Sequence, residues 1–423
     1  MKRLFRFRFL LLFVLQCGLI LGLRLLLPAE FAANESTDYK TFYHPVAAAI
    51  VSGEGIRLSG APALRYPPGY PLLLSGIVGL ANLTGLSEEF LLFLFTALCT
   101  AGSAVVLVKL SESIWGERWG WFAGIVWASY PFLLWLTKQP NSEIPFMLLF
   151  LLSLLATWKG IAVRQAWLAF LGGILSGFSM LVRPIGMGVG VLLAALVFGL
   201  VKQGLRVRVL LAACVLAGGL LVIAPWELWV LRQTGEVIPL STGGPPSMVD
   251  GLTFAVNPKN ERGKFFLVPR AVLPVMQEVQ AQRRELRTTH RLLSLVARLA
   301  RNKPLETGLL LVTKAARSWY ATDSGRLEGP TFIIQIPYLL LSVLAVFLTW
   351  KAGASHRQAG LVVGGLVLYF WGMTILVLSI LRYMVPAMGL FFLLWPAVPV
   401  CWESARSRRK AIELSPPTKT GRC

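Results

Sequence analysis

Polar side chains that could carry out chemistry lie at the ends of long apolar runs, on what we predict to be one side of a membrane. They are Asp38, Tyr39, His44, Arg65, Tyr66, Lys138, Glu143, Arg183, Arg382 and Tyr383. Ionisable groups at membrane depth are costly, so their presence indicates function by default. Carboxylates could take a proton from an attacking hydroxyl, and arginines and tyrosines could hold a phosphate that leaves as an anion. Together these groups indicate transfer from a lipid phosphate to an acceptor nucleophile.

Each of these side chains also has an ordinary structural explanation. Asp38 could cap a helix, and Glu143 could cap the helix predicted to begin near Pro145. Arg183 could extend its charge to the membrane surface while its stem stays in lipid. The chain has only three histidines, so it gives little support to chemistry built on His44. The functional interpretation therefore depends on the convergence of the group, which the topology predicts.

The elements that must position these groups are membrane-spanning helices. Of the 423 residues, 56% are hydrophobic and only 14% are charged, whereas soluble domains carry about 25% charged residues. Runs without any charge cover Val209–Trp226, Phe332–Trp350, Leu361–Leu381 and Met384–Trp402. Each is close to the roughly 20 residues that cross a bilayer, where only a helix satisfies its own backbone hydrogen bonds. We therefore predict an all-α polytopic membrane protein with about ten transmembrane helices, and with interfacial helices in its outer loops. Besides these four runs, the predicted spans are Phe9–Leu27, Phe90–Leu110, Trp119–Leu136, Ile144–Trp158, Trp167–Leu181 and Ile185–Val201.

The basic residues predict which side of the membrane each loop faces. The clusters at residues 2–8, 202–208, 351–357 and 406–410 all fall on one side, which is cytoplasmic by the positive-inside rule. This agreement requires that the short apolar run 71–83 lies at the outer interface instead of spanning. The site then faces the outer side of a bacterial inner membrane, within one domain, 1–402, that includes outer loops 28–68 and 227–330. Residues 403–423 form a cytoplasmic basic tail.

The net charge of +21 does not predict a nucleic-acid partner, because the basic residues stand mostly in short clusters between apolar runs. The first apolar run, Phe9–Leu27, is interpreted as an uncleaved helix that stays in contact with membrane lipids. None of the five cysteines lies in the long polar loops, and no CxxC or Cys/His ligand spacing is present. We therefore expect neither disulfides nor a structural zinc site.

The second outer loop contains a stretch, Val272–Leu299, in which apolar residues recur at roughly helical spacing between arginines. Two interpretations stay open. An amphipathic helix could lie on an anionic membrane face, where its arginines meet lipid headgroups. Alternatively, a solvated basic helix could pack its apolar face on its own domain.

Five motifs occur in the order seen in a known class of membrane enzymes. They are Asp38-Tyr39 followed by Ser52-Gly53-Glu54-Gly55, then Arg65-Tyr66-Pro67-Pro68-Gly69-Tyr70-Pro71-Leu72, Asn141-Ser142-Glu143-Ile144-Pro145-Phe146, Gly172-Gly173-Ile174-Leu175-Ser176-Gly177 leading to Leu181-Val182-Arg183-Pro184, and Leu381-Arg382-Tyr383-Met384-Val385-Pro386. On these motifs the chain resembles the GT-C membrane glycosyltransferases over about residues 10–400. More specifically, it is similar to the family 39-like group that contains protein O-mannosyltransferases and bacterial lipid A aminoarabinose transferases.

This resemblance implies roles for the site residues. Asp38 stands in the place of the acidic residue that acts as general base, and Glu143 in the place of a second acidic residue, often Asp. Arg183 is similar to a basic residue that contacts the carrier phosphate, and Arg382 with Tyr383 resembles a late Arg-Tyr pair near the same site. The substrate-binding residues that we add from the outer face are Tyr39, Arg65, Tyr66 and Lys138.

The resemblance implies an inverting glycosyltransferase that takes a sugar from a polyprenyl-phosphate donor, with Asp38 as the base. The acceptor is a glycolipid, an envelope glycan or a protein. A protein is disfavoured because Tyr39 breaks the tandem acidic pair of the protein O-mannosyltransferases and no large folded domain follows the last helix. The residues do not demand a cofactor, but a divalent cation stays open, because outer-loop acidic pairs of some relatives bind one.

Three alternatives stay open. A polysaccharide ligase or polymerase would use diphosphate-linked donors and would place arginines in one large late outer loop, as in Val272–Leu299. A transporter of lipid-linked glycans would show charges near the midplane in two related halves, whereas here the charges lie at helix ends. A non-catalytic assembly protein of the cell envelope is the third.

Overall fold

The computed structural model describes residues 2–27, 38–200, 204–253, 266–286, 288–323 and 325–414. All predicted site residues lie in these ranges, whereas residues 28–37 of the first outer loop, 254–265 of the second and 415–423 of the predicted tail lie outside them. The helices are α1 (Lys2–Leu26), α2 (His44–Val51), α3 (Gly69–Thr84), α4 (Glu88–Trp115), α5 (Glu117–Ala128), α6 (Pro131–Leu136), α7 (Glu143–Val163), α8 (Ala166–Val182), α9 (Val189–Leu200), α10 (Leu205–Thr234), α11 (Gly244–Thr253), α12 (Leu273–Ala281), α13 (Thr289–Asn302), α14 (Pro304–Arg317), α15 (Glu328–Lys351), α16 (Ala354–Leu376), α17 (Val385–Phe392) and α18 (Ala397–Leu414).

Short irregular elements complete the described chain. A π-helix, Tyr39–Tyr43, leads directly into α2, and 3-10 turns cover Pro184–Gly186, Arg270–Val272 and Leu381–Tyr383. The strands β1 (Arg57–Leu58) and β2 (Ala61–Pro62) form an antiparallel hairpin, with Arg57 opposite Pro62 and Leu58 opposite Ala61. Everything else of regular structure in the described ranges is helical, which confirms the predicted all-α class.

Seven helical segments in the described ranges are long and apolar enough to cross a membrane. They are Phe7–Leu26, Glu88–Trp115, Glu143–Val163, Leu205–Thr234, Glu328–Lys351, Ala354–Leu376 and Val385–Ser407. Each coincides with one of the predicted spans, so the chain is a multi-pass membrane protein. Gly69–Thr84, Ala166–Val182 and Pro184–Leu200 are apolar but shorter.

The remaining predicted spans, 119–136, 167–181 and 185–201, correspond to shorter helices. The span 119–136 is divided, because α5 ends at Ala128 and α6 begins at Pro131. Pro131 lacks the N–H that would continue the helix. It also forces the backbone of Tyr130 out of the helical conformation, and the ψ of Tyr130 is 115°. The Tyr130 hydroxyl, which is fully buried, donates instead to Oε1 of Gln335 at 2.9 Å. The break therefore joins this part of the bundle to α15.

The bundle is tightest where α8 lies between α7 and α10. A Cβ at Gly173 would stand 2.0 Å from the carbonyl oxygen of Val215 in α10. On the other side, the Ser153 hydroxyl of α7 donates to the carbonyl oxygen of Gly172 at 2.7 Å. Small residues let helix backbones approach this closely, which is the usual packing mode of membrane helices. The end of α8, which carries Arg183, is thereby fixed against its neighbours.

The segment 227–330, which the sequence predicts to lie on the outer side and which we call the outer segment, contains a second, smaller core within its described residues. Its buried apolar residues are Val249, Leu252, Val272, Val275, Met276, Val279, Leu286, Leu292, Leu295, Leu299 and Leu310. The stretch Val272–Leu299 is divided between α12 and α13, and the apolar side of each helix lies in this core. The interpretation in which that apolar side lies on the membrane is therefore wrong, and packing on the protein itself is confirmed. Arg291, Arg298 and Arg301 are exposed on the opposite side.

A buried ion pair fixes the end of this outer segment to the bundle. Arg317 donates to both carboxylate oxygens of Glu328, at 2.7 and 3.1 Å, and the two side chains are only 5% and 1% exposed. Bidentate pairs of this kind are strong and fix orientation as well as distance. The loop between α14 and α15 is thus held at both ends, and it carries Asp323 to the site described below.

Candidate active site

The first part of the site is an ion-pair network around a buried carboxylate. Glu143 is 3% exposed, and its Oε2 lies 2.8 Å from Nη1 of Arg183 while its Oε1 lies 3.2 Å from Nε of Arg382. Nη1 of Arg183 also donates to Oγ of Ser142 at 2.7 Å. Nη1 of Arg382 lies 3.4 Å from Oδ2 of Asp323. One carboxylate therefore holds two guanidinium groups that come from distant parts of the chain.

The start of α7 is arranged so that Glu143 can reach these arginines. Asn141 accepts a hydrogen bond from the Ile144 N–H at 3.1 Å, and so caps the helix in place of Glu143. Arg183 follows the last residue of α8 with an extended backbone, φ −150° and ψ 121°, as expected for a residue before proline. Its side chain is only 12% exposed, so it points into the protein and not to the membrane surface.

Arg382 is positioned by a short turn that the outer loop holds in place. The Leu381 N–H donates to the carbonyl oxygen of Ala321 at 2.8 Å, which ties the turn Leu381–Tyr383 to the loop that carries Asp323. Burial by itself would lower the pKa of Arg382, but the carboxylates of Asp323 and Glu143 outweigh it and hold the pKa above its ordinary value. The guanidinium group of Arg382 is therefore a fixed positive charge at any physiological pH.

Tyr383 lies against both cations. The guanidinium carbon of Arg183 is 4.5 Å from the centre of the Tyr383 ring, and that of Arg382 is 5.3 Å from it. Stacking on an aromatic face stabilises a guanidinium group and restricts its rotation. The result is a pair of oriented cations with a tyrosine beside them, which is a suitable arrangement for binding a phosphate.

The second part of the site is built around Asp38. The Tyr66 hydroxyl donates to Oδ1 of Asp38 at 3.0 Å, and Nη2 of Arg65 lies 3.6 Å from the same oxygen. The Asp38 side chain makes no capping hydrogen bond to the helix that follows it, so the helix-cap interpretation is wrong. Burial first, and then the charge of Asp38, raise the pKa of Tyr66, so its hydroxyl stays protonated and keeps donating. Asp38 is 36% exposed and so is open to a substrate.

Tyr43 connects the two parts. Its ring centre lies 5.1 Å from that of Tyr66, which binds Asp38. Burial is the main cause of a raised pKa for Tyr43, and the charges that act on it are those of Arg183, Asp38 and Glu143. Asp38, Glu143 and Arg183, three of the residues that the sequence predicted, therefore all act on one buried side chain.

Gly69 explains how the Arg65–Leu72 motif reaches the end of α8. A Cβ on Gly69 would lie 2.5 Å from the carbonyl carbon of Leu181 and 2.6 Å from its oxygen. Backbone atoms cannot yield as a flexible side chain can. Only glycine therefore lets α3 start directly against the last turn before Arg183.

We expect Gly69→Ala to lower the thermal unfolding midpoint and to reduce ligand binding at the site, because overpacking a close contact costs about 1–3 kcal/mol. The measurement is thermal unfolding of the purified protein in nanodiscs. Gly76→Ala is the matched control, since it lies in the same helix and a Cβ there meets nothing within 4 Å. Equal unfolding midpoints for the two variants would show that the close contact between Gly69 and Leu181 does not determine the stability of the protein.

Two predicted substrate-binding residues, Tyr39 and Lys138, line a neighbouring cleft instead. This cleft, which we call the Glu88 cleft, has a volume of about 480 Å³ and lies between the end of α1, the start of α4 and the loop after α6. The Tyr39 hydroxyl donates to Oε1 of Glu88 at 2.9 Å, and Nε2 of His44 lies 3.1 Å from that oxygen. Desolvation lowers the pKa of Lys138, and the charge of Asp323 opposes this shift.

The surroundings of the predicted carboxylates bear on whether they could bind a metal ion. Within the described ranges, no three His, Cys, Asp or Glu side chains form a group that could hold a metal ion. The charged partners of Glu143 are two arginines, and the charged partner of Asp38 is Arg65. This donor set does not fit a divalent cation, which needs several oxygen ligands and no adjacent cations.

Sequence reasoning missed three residues of the site. Asp323 lies in the long outer segment, where no local pattern distinguished it from other loop acids. Ser142 lies beside Glu143, and its hydroxyl is buried against Arg183. Tyr43 lies in the same apolar stretch as other core residues, and only its packing against Tyr66 and Tyr70 marks it.

The fold of this membrane protein is similar to that of GT-C glycosyltransferases, so the predicted resemblance is confirmed at the level of the fold. Residues 65–229 match the family of dolichyl-phosphate-mannose-protein mannosyltransferases. This segment contains Arg65, Tyr66, Lys138, Glu143 and Arg183, but it is less than half of the chain. No curated protein matches the chain significantly in sequence.

Several solved structures have a fold similar to that of this chain. The apo crystal structure of the oligosaccharyltransferase from Archaeoglobus fulgidus matches with a TM-score of 0.59 at 13% identity, over 96% of this chain and 52% of that one. The complex of the oligosaccharyltransferase AglB from the same organism with an inhibitory peptide and a dolichol-phosphate gives a TM-score of 0.53 at 14% identity, over 99% and 53%. The chain thus spans about half the length of these archaeal structures. ArnT from Cupriavidus metallidurans, bound to undecaprenyl phosphate, gives 0.44 at 14% identity, over 97% and 82%.

Proposed function

We propose that this protein is a glycosyltransferase that moves a sugar from a polyprenyl-phosphate donor to a hydroxyl acceptor at the outer face of the membrane. The observation that carries the proposal is the pair of oriented guanidinium groups of Arg183 and Arg382, held by buried Glu143 near Asp38. The GT-C fold and the match of residues 65–229 to a mannosyltransferase family support it. The basic clusters support the outer location, because the site lies at the opposite helix ends.

The donor phosphate is proposed to bind at Arg183, Arg382 and Tyr383. A guanidinium group carries five N–H donors, and the ion pairs use Nη1 of Arg183 and Nε and Nη1 of Arg382. Further N–H groups of both arginines are therefore left to donate to phosphate oxygens. When the sugar leaves, the phosphate gains a negative charge, and two fixed cations stabilise that developing charge without having to reorganise.

Asp38 is proposed to be the general base. Its carboxylate accepts the proton of the acceptor hydroxyl, and the freed oxygen electron pair forms a bond to the anomeric carbon of the donor sugar. The bond from that carbon to the phosphate oxygen breaks, and its electron pair leaves with the polyprenyl phosphate. Because the attack comes from the face opposite to the leaving group, the configuration at the anomeric carbon inverts. Tyr66 and Arg65 hold the carboxylate in position for this step.

Glu143 is proposed to position the arginines and not to accept a proton. Both of its oxygens lie within 3.2 Å of a guanidinium nitrogen, and its side chain is only 4% exposed. An acceptor hydroxyl would have to displace one of these ion pairs to reach it. The two carboxylates thus differ in environment. Asp38 is open to substrate, whereas Glu143 is enclosed by two arginines.

The donor end is tested by binding of undecaprenyl phosphate to the purified protein in nanodiscs, followed by native mass spectrometry. Losing a charge-assisted hydrogen bond costs about 1.5–3 kcal/mol, so Arg382→Ala should weaken binding about 10- to 150-fold. Arg382→Lys should recover only part of the affinity, since an ammonium group lacks the planar fork.

Arg232→Ala is the matched control, because Arg232 is exposed at the end of α10 and lies outside the site. Its affinity for undecaprenyl phosphate should equal that of the wild type. If Arg382→Ala and Arg232→Ala bind equally well, the phosphate site and the proposed function are wrong.

A further inference from the structure

The Glu88 cleft is a polar space beside Tyr39, the neighbour of the proposed base, and the proposed mechanism does not use it. Its walls carry Arg24, Tyr39, Glu88, Glu89, Thr137 and Lys138. Its volume of about 480 Å³ lies within the range of about 300–1,000 Å³ that small-molecule sites occupy. We infer that the cleft binds the uncharged, hydroxyl-rich sugar head of the acceptor, an inference that rests on the proposed function for its role in transfer.

The cleft lies directly beside the proposed base. Tyr39 in the wall of the cleft follows Asp38 in the chain, and adjacent Cα atoms are about 3.8 Å apart. A sugar held there would present a hydroxyl toward Asp38.

The charged side chains of the cleft balance one another. The cleft carries two carboxylates, Glu88 and Glu89, and two cations, Arg24 and Lys138. Arg24 and Glu89 form an ion pair, so the charges are placed in complementary positions. An anionic ligand would be repelled by the carboxylates and a cationic ligand by the two basic groups. A neutral polar ligand is repelled neither by the carboxylates nor by the basic groups.

The cleft also offers both hydrogen-bond acceptors and hydrogen-bond donors. A carboxylate has about four acceptor positions, and Glu88 shares its own with the Tyr39 hydroxyl and His44, so capacity for ligand hydroxyls is left. Lys138 and Arg24 supply donors for ligand oxygens. The Phe93 ring, which lies under Arg24 at 5.0 Å, adds an apolar surface in the same cleft. Acceptors, donors and an aromatic face together match the hydroxyls and C–H faces of a sugar.

The test measures binding of simple glycosides to the full-length protein in phosphatidylcholine nanodiscs by saturation-transfer NMR. The probes are neutral methyl β-glucoside, methyl α-mannoside and methyl β-galactoside, with methyl β-glucuronide and methyl β-glucosaminide as charged counterparts. We expect at least one neutral glycoside to bind saturably and at least tenfold more tightly than either charged probe. Absence of saturable binding by all neutral probes, or preference for a charged probe, would overturn the inference.

Two variants locate the binding. Glu88→Gln, which keeps the shape but removes the charge, and Thr137→Trp, which fills the cleft, should each weaken the neutral glycoside at least tenfold. Glu236→Gln is the matched control, because Glu236 is exposed and lies outside the cleft. If both cleft variants bind the glycoside as tightly as the control does, the inference is wrong.

The same samples separate this inference from the proposed function. Glu88→Gln should leave the affinity for undecaprenyl phosphate unchanged, and Arg382→Ala should leave the affinity for the neutral glycoside unchanged. If the wild type binds undecaprenyl phosphate but none of the neutral glycosides, the cleft assignment alone is overturned. Loss of phosphate binding with intact glycoside binding overturns the proposed function and leaves a sugar-binding cleft.

Discussion

Asp38→Asn is expected to lower the rate of sugar transfer by at least the roughly 100-fold that a missing general base costs, while the protein still folds and inserts. The substitution keeps the shape of the side chain and its contact with the Tyr66 hydroxyl, but an amide cannot take the proton of the acceptor. The measurement is the release of polyprenyl phosphate from a set of polyprenyl-phosphate sugars, followed by liquid chromatography and mass spectrometry.

Two further variants make this result specific. Tyr66→Phe removes the hydroxyl that holds Asp38 and leaves the base, so its loss of rate should be well below that of Asp38→Asn. Glu54→Gln changes an exposed carboxylate of the same outer region and should act like wild type. Near wild-type transfer by purified Asp38→Asn would remove Asp38 as the base, and Glu143 would become the next residue to test.

Glu143→Ala is expected to have the second large effect, on both stability and binding. Removing one partner of a buried ion pair leaves an uncompensated charge and costs about 3–5 kcal/mol. Here Arg183 loses its carboxylate partner and Arg382 keeps only Asp323, so we expect a lower free energy of unfolding and a loss of transfer of at least ~100-fold. Because the arginines lose their orientation, the affinity for undecaprenyl phosphate should fall together with the rate. A base would affect the rate alone, so this joint loss distinguishes positioning from proton transfer.

The matched control for this variant is Glu112→Ala. Glu112 is also largely buried, at 10% exposed, and pairs with Arg8 at 2.9 Å and Lys109 at 3.1 Å on α1 and α4. Its removal should destabilise the protein without changing the affinity for undecaprenyl phosphate. If Glu143→Ala keeps wild-type phosphate affinity while transfer is lost, the positioning role is wrong and a direct catalytic role is favoured.

The sequence by itself determined the membrane-spanning architecture. Hydropathy is a local property, since each residue contributes its own transfer free energy, so a run such as Leu361–Leu381 identifies its span without knowledge of its neighbours. The same reasoning placed Asp38, Glu143, Arg183 and Arg382 at one set of helix ends. Hydropathy failed to predict the structure of residues 119–136. The run is apolar enough for one span, but Pro131 breaks the helix, and a sum of hydropathies does not detect this break.

Only the tertiary structure decided which of these groups meet. Whether Glu143 contacts Arg183, Arg382 or Asp38 depends on how helix ends from distant segments pack, and no local pattern contains that information. Tyr39 shows this at the scale of one residue, since it enters the Glu88 cleft while its neighbour Asp38 turns to Tyr66.

The outer segment was decided by packing in the same way. Asp323 reaches Arg382 because the buried pair of Arg317 and Glu328 fixes its loop, and the apolar side of α13 lies in a core that only the fold assembles. An amphipathic pattern states that one face will be buried, but it does not state whether lipid or protein covers that face. The choice depends on the shape of the surrounding chain, which is a property of the whole structure.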